Sequence, residues 1–177
     1  ELATKVMDHT VANQKEDGRW NYRKLDDGSE RAQIDFHQLF IIECLHKFIG
    51  FANPSDSKYR AAIDKGLEFF LKNQLVDEHY CKYRWPKEMP IDIHNQASTI
   101  IALCRLSDIR PDLISMAEKV AEFTINNMQL ENGGFAYKMY PKRMNRTSFI
   151  RWSNAWMHLA LTTLLGTLSR PNESAKE

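Results

Sequence analysis

The chain has 177 residues, 43% of them hydrophobic and 27% charged, the balance of an ordinary globular protein with one core. Its 24 basic and 23 acidic side chains leave a formal charge of +1, too little to draw it onto nucleic acid or an anionic surface. The longest apolar stretches, residues 39–44 and 155–161, fall well short of the roughly 20 residues that cross a bilayer, so neither a nucleic-acid partner nor a membrane span is expected.

In chain order, a first helical pattern ends at Gln14 and is followed by the aromatic marker Trp20-Asn21-Tyr22 and a polar connection over residues 24–33. Ile34-Asp35-Phe36-His37 then opens a run that is apolar nearly all round: Leu39, Phe40, Ile41, Ile42, Cys44, Leu45, Phe48 and Ile49, closed by Gly50. A second unit starts at Pro54-Ser55-Asp56. Its first helix carries an amphipathic stripe of Tyr59, Ala62, Ile63, Gly66, Leu67 and Phe70 and ends at Asn73-Gln74. Cys81-Lys82-Tyr83 and Ile91-Asp92-Ile93-His94 repeat the two markers ahead of an apolar run over residues 93–106.

The third unit opens at Pro111-Asp112 with the stripe Leu113, Ala117, Val120, Ala121, Thr124 and Met128, and its first helix ends at Asn127-Met128-Gln129. Gly133-Gly134 breaks the chain before Phe135-Ala136-Tyr137; a polar connection over residues 141–147 leads to Ile150-Arg151-Trp152-Ser153 and a last apolar run over residues 149–165. Ile34, Ile91 and Ile150 stand 57 and 59 residues apart, so three markers recur in one order, the signature of an internal repeat.

A half-wetted helix followed by an enclosed one, three times over, predicts an all-α chain of about six helices: three hairpins of an α/α toroid, joined by short aromatic connections near Tyr22, Tyr83 and Tyr137 that pair as hairpins. The expected organisation is a single domain over residues 1–170, with units of about 1–50, 51–108 and 109–168 and a flexible tail at 171–177. Such a chain is half of a closed ring. Its uncovered edges predict a homodimer or a further block of hairpins ahead of Glu1. Cys44, Cys81 and Cys104 are odd in number and lack close pairing, which speaks against a disulfide framework or thiolate zinc site and for a reducing, cytoplasmic setting.

The stretches Gln14-Lys15-Glu16-Asp17-Gly18-Arg19-Trp20-Asn21-Tyr22, Pro90-Ile91-Asp92-Ile93-His94 and Arg151-Trp152-Ser153-Asn154-Ala155-Trp156-Met157 resemble a bacterial family associated with exopolysaccharide biosynthesis. That family lies within the superfamily of terpenoid cyclase, prenyltransferase and six-hairpin glycosidase-like toroids. The resemblance covers the later half of a typical member. Some members carry the label delta-aminolevulinic acid dehydratase, but that enzyme is a (β/α)₈ barrel, and this sequence has no alternating strands to build one. The resemblance implies a toroid and a polysaccharide setting, and no reaction.

Asp35 and His37, Asp92 and His94, and Arg151 and Ser153 fall at the openings of the enclosed helices, which a ring gathers at one mouth. Two readings of the aspartates stand side by side. Asp35 and Asp92 sit three residues before Gln38 and Asn95, the spacing of a capping box. Alternatively Asp35, His37, Asp92 and His94 are acid–base groups, with Arg151 orienting an anion. In the third unit Arg151 has no acceptor, so Thr147 or Ser148 would cap instead.

The expected sugar-binding set is Trp20, Tyr22, Tyr83, Tyr137 and Trp152, with Arg84, Lys138 and Arg143 at their edges, while Trp156, His46 and His158 read as core. No recognised ligand spacing marks a metal site, and no cofactor is expected. The functional expectation is therefore a hydrolase, lyase or epimerase acting on a glycan or sugar-derived substrate. A non-catalytic glycan-binding toroid and an isoprenoid cyclase with a deep apolar cavity are the alternatives.

Overall fold

A computed structural model describes residues 1–52 and 55–170. Six α-helices alternate in two layers among these residues. The outer helices are α1 (Leu2–Ala12), α3 (Lys58–Asn73) and α5 (Leu113–Met128); the inner ones are α2 (His37–Ala52), α4 (Ile93–Arg105) and α6 (Ala155–Leu168). Every residue of the two predicted stripes on α3 and α5 is buried against the inner layer. Short strands join the layers: β1 (Arg23–Lys24) with β2 (Glu30–Arg31), β3 (Leu75–Val76) with β4 (Tyr80–Cys81), and an antiparallel sheet of β5 (Ile91–Asp92), β6 (Lys138–Tyr140) and β7 (Arg143–Asn145). The stretches expected as polar connections thus hold hairpins. Tyr22, Tyr83 and Tyr137 flank the strands instead of lying in them.

The inner helices are not equally enclosed. In α4, twelve of the thirteen residues are buried, because α2 and α6 flank it and α5 covers it. By contrast α6 buries only Met157, Ala160 and Leu164, and leaves Leu159, Leu165 and Leu168 exposed. Apolar composition all round therefore predicted enclosure correctly only for the middle helix, which alone has an inner neighbour on both sides. Gly50 does not end α2, which runs on to Ala52; a helix-stopping glycine works through a left-handed backbone, and Gly50 has none. Pro54 and the tail at 171–177 lie outside the described residues. Cys44 is exposed instead of buried, and so is His158; His46 bonds Asp108 at 3.0 Å.

The repeat has a hydrogen-bonded basis. The marker residues Trp20, Cys81 and Phe135 are all buried, and each donates its backbone N–H to a side-chain carbonyl from the first turns of the following inner helix region: Gln38 at 3.1 Å, Gln96 at 2.8 Å and Asn154 at 2.9 Å. Two of these amides return the bond, Gln38 to the Gly18 carbonyl and Gln96 to the Cys81 carbonyl. An amide is the side chain that can satisfy a buried donor and a buried acceptor together. Gln14 and Gln129, at the ends of outer helices, likewise each bond the carbonyl of a left-handed glycine four residues on, Gly18 and Gly133. Asn154→Ala should therefore cost about 1–2 kcal/mol by orphaning the Phe135 N–H, read as a lower urea midpoint. An unchanged midpoint would show that the bond is not held in solution.

Candidate functional site

The starts of two inner helices, α2 and α4, are fixed by an aspartate just upstream. Asp35 Oδ1 accepts the His37 N–H at 3.2 Å and Asp92 Oδ1 the His94 N–H at 3.0 Å, so both aspartates cap, satisfying amides that an α-helix leaves open. The reciprocal half of a capping box does not form, since Gln38 serves Trp20 and Gly18, and Asn95 donates to the carbonyls of Lys82 and Tyr83. In the third unit neither Thr147 nor Ser148 caps. Ser148 instead bonds the Asn154 amide, and the chain enters α6 through a π-helical turn, Ile150–Asn154.

Capping leaves each aspartate a second role. His37 lies outside the axial constraint that separates residues two apart on a helix, because Asp35 precedes the helix; its Nδ1–H folds back onto Asp35 Oδ1 at 2.5 Å. A carboxylate only accepts, so Nδ1 is the donor in this bond, and it is the neutral form of the ring that leaves Nε2 with a lone pair. Asp35 itself is buried, and its other oxygen, Oδ2, accepts the Gln33 amide at 2.8 Å and lies 3.8 Å from Arg84 Nε. The His37 ring is 46% exposed and is held between the edge of Tyr22 and the face of Phe36.

Asp92 and Lys138 face each other across β5 and β6, with Nζ 3.2 Å from Oδ2. Burial raises the Asp92 carboxyl above the usual carboxylate range, while the His94 N–H and the charges of Lys138 and Arg84 pull the other way. Burial also presses on the Lys138 ammonium, but its bonds to Tyr137 and Asp92 win and hold it above the ordinary lysine value. Lys138 lies over the rings of both Tyr83 and Tyr137, and Arg84 over Tyr83, so the turn that carries Tyr83 and Arg84 links the two aspartate centres.

Between these centres stands His94. Its ring contacts Phe36, Trp152 and Trp156 at centroid distances of 4.3, 4.1 and 4.5 Å. Burial, with a smaller push from His37, takes the imidazole down to about 4, so it is uncharged at neutral pH and cannot deliver a proton as an imidazolium. A cleft of about 210 Å³ opens beside His37, lined by Tyr22, Gln33, Asp35, Gln38 and Phe40 among others. A larger one of about 480 Å³ lies under the outer layer, between Glu16, Lys65, Phe69 and Trp85, away from both histidines.

Two expected site residues stand apart, and a third, Trp20, is mostly core: it is 6% exposed, its indole N–H bonds the Thr10 carbonyl and its ring packs on Gly66, while it also lines the cleft beside His37. Arg143 lies over Tyr140 at the far end of the β6–β7 hairpin. Arg151 is exposed on the π-helical turn, in an apolar cleft with Phe149, Ile150 and Trp152. Among the described residues no cluster of three or more His, Cys, Asp or Glu could hold a metal, and no helix is long and apolar enough to cross a membrane.

The chain superposes on an unsaturated glucuronyl hydrolase from Bacillus sp. GL1, responsible for the degradation of glycosaminoglycan, with a TM-score of 0.76 at 13% identity, covering 97% of this chain and 50% of that one. The six helices of this chain are consistent with a fragment of an α/α toroid. A D-mannose isomerase gives 0.72 at 13% identity over 96% of this chain and 47% of that one, and an unsaturated glucuronyl hydrolase specific for heparin gives 0.62 at 11% over 96% and 62%. No protein-family model and no curated protein matches the sequence. The chain spans about half the length of the first two structures.

Two mouth residues escaped the sequence reading. Phe36 lies between the two expected histidines, and Trp156, expected as core, contacts His94 and stacks with Phe40 at 6.2 Å. The signal was present: Trp156 follows Arg151, as Phe40 follows Asp35, by five residues, so the repeat already gave them equivalent places.

Proposed function

We propose that this half-toroid is a carbohydrate-active domain of hydrolase, lyase or epimerase type, working at the mouth formed by the openings of α2, α4 and α6. The observation that carries the reading is the Asp35–His37 pair: a buried carboxylate orients an exposed imidazole so that Nε2 is available to take and return a proton. Flat rings of Tyr22, Tyr83, Tyr137 and Trp152 supply stacking surfaces, and Arg84 and Lys138 supply donors beside them. The names of the similar solved structures, which speak of glucuronyl, mannose and heparin chemistry, point to the same substrate class.

The test is a panel of hexose, uronate and oligosaccharide substrates offered to wild type, Asp35→Asn and His37→Ala. Turnover is expected to fall about 10²-fold or more in both variants, with binding largely kept. Binding without turnover in the wild type would instead favour a glycan-binding toroid. A chain that engages no sugar sinks the proposal. An isoprenoid reading has less support, because the mouth cleft is small and lined by Asp35, His37 and Gln33.

The open edges belong to the same reading. Leu159, Leu165 and Leu168 on α6 and Phe51 on α2 are exposed, leaving large apolar side chains in water at both edges of the inner layer. We propose that further hairpins cover them, from a second copy or a longer chain. Light scattering should show this chain self-associating as its concentration rises if a second copy supplies the cover; a strictly monomeric chain at every concentration argues against a second copy.

A further inference from the structure

We propose that His94 is the group that reads a hydroxyl of the substrate, and that Trp152 is its cover, displaced when the sugar enters; this rests on the carbohydrate reading above and deepens it. Asp35, Asp92 and Asn95 at the mouth already have partners, whereas the buried Ser153 hydroxyl, like His94, has none. Asp35 holds His37 and Gln33, Asp92 holds Lys138 and the His94 backbone, and Asn95 ties down the loop carrying Tyr83. His94 is 4% exposed, and neither ring nitrogen has a hydrogen-bond partner. Folded chains rarely leave a buried donor and a buried acceptor both unmet, so a group in that condition has a job that the resting chain does not show.

What surrounds the ring narrows that job. Phe36, Trp152 and Trp156 present aromatic carbon and no acceptor within the cage. A neutral imidazole has one donor and one acceptor nitrogen, the complement of an alcohol, which both gives and takes a hydrogen bond. A charged ligand group would match only one side of it.

The three walls are not equally fixed. Phe36 is stacked on His37, which Asp35 holds, and Trp156 sits in the regular part of α6 against Phe40. Trp152 is 40% exposed and rides on the π-helical turn, where the Phe149 carbonyl accepts the N–H of both Ser153 and Asn154. Such turns break the regular ladder and recur at functional sites. The cleft of about 400 Å³ beside Trp152, lined by Phe149, Ile150 and Arg151, gives the indole room to swing away from His94.

Diethyl pyrocarbonate labelling read by peptide mass mapping tests the cover without any ligand. In the wild type His94 should react more slowly than the exposed His37, and Trp152→Ala should speed its labelling about tenfold or more without changing the other histidines. Equal labelling of His94 and His37 in the wild type, or no gain in Trp152→Ala, overturns the cover. The hydroxyl assignment is tested with D-mannose and D-glucuronate on His94→Phe, which keeps an aromatic ring in the cage, and on His94→Gln, which keeps a donor and an acceptor. The Phe variant should bind about tenfold more weakly and the Gln variant should recover part of the loss. Wild-type binding by the Phe variant, with folding verified by circular dichroism, overturns the assignment while leaving the carbohydrate reading intact. If the wild type binds neither sugar nor any member of the wider panel, the carbohydrate reading fails and the hydroxyl assignment with it, whereas the labelling result still decides the cover.

Discussion

Replacing Gly18 by alanine is expected to cost roughly 3–5 kcal/mol of folding stability, because two separate penalties coincide at that position. Its φ is +95°, a backbone region that side chains disfavour, and a Cβ added there would lie 2.2 Å from the Lys65 carbonyl oxygen, a backbone atom that cannot rotate away. The site is also a junction. The Gly18 carbonyl accepts the amides of both Gln14 and Gln38, so moving it disturbs the tie between α1, the Trp20 marker and α2. Gly133 is the internal control: it has φ +84° with nothing within 4 Å of an added Cβ, so Gly133→Ala should lose only the conformational part, roughly 1–2 kcal/mol. Urea unfolding of the two variants measures the difference. Equal losses would mean that the close approach of Gly18 to α3 is not a feature of the protein in solution.

Acid should weaken the fold through His94, and the direction follows from its burial. The folded imidazole titrates near 4, below the ordinary value of 6.5 that it regains on unfolding, so between these values the unfolded chain binds the extra proton. The contribution is fully present above pH 6.5 and is lost as the pH falls toward 4. At about 1.4 kcal/mol per unit of displacement, the loss across that window is on the order of 3 kcal/mol. Asp92, whose carboxyl is raised, works in the opposite sense, so the comparison to make is wild type against His94→Phe at matched pH values. The variant should show a markedly flatter stability profile between pH 6.5 and 4. Parallel profiles would place the His94 ring in contact with water and remove the basis for its uncharged role.

Much of the fold was legible in the sequence because it is repeated and local. The stripes on α3 and α5 and the equivalence of Trp20, Cys81 and Phe135 follow from side-chain spacing, and burial obeys them residue by residue, whereas the enclosed character read for the inner helices holds only for α4. Capping by Asp35 and Asp92 was likewise visible, since a cap involves only residues two or three apart. The same spacing could not say whether a residue had a neighbour. Gln38 looked like half of a capping box and proved to hold Trp20, which comes from a loop 18 residues earlier.

The order of residues by itself determined that this chain would build three hairpins and where each inner helix opens, because hydrophobic period and cap chemistry are properties of short segments. Only the tertiary structure decided what surrounds each of those openings. It buried Trp20 in the core and set the half-buried Trp156 against both the core and the His94 ring. It turned His37 onto Asp35 and enclosed His94 in rings from two other segments of the chain. The reason is physical: whether an imidazole is charged, oriented or unpartnered depends on atoms that lie close in space and far apart along the chain.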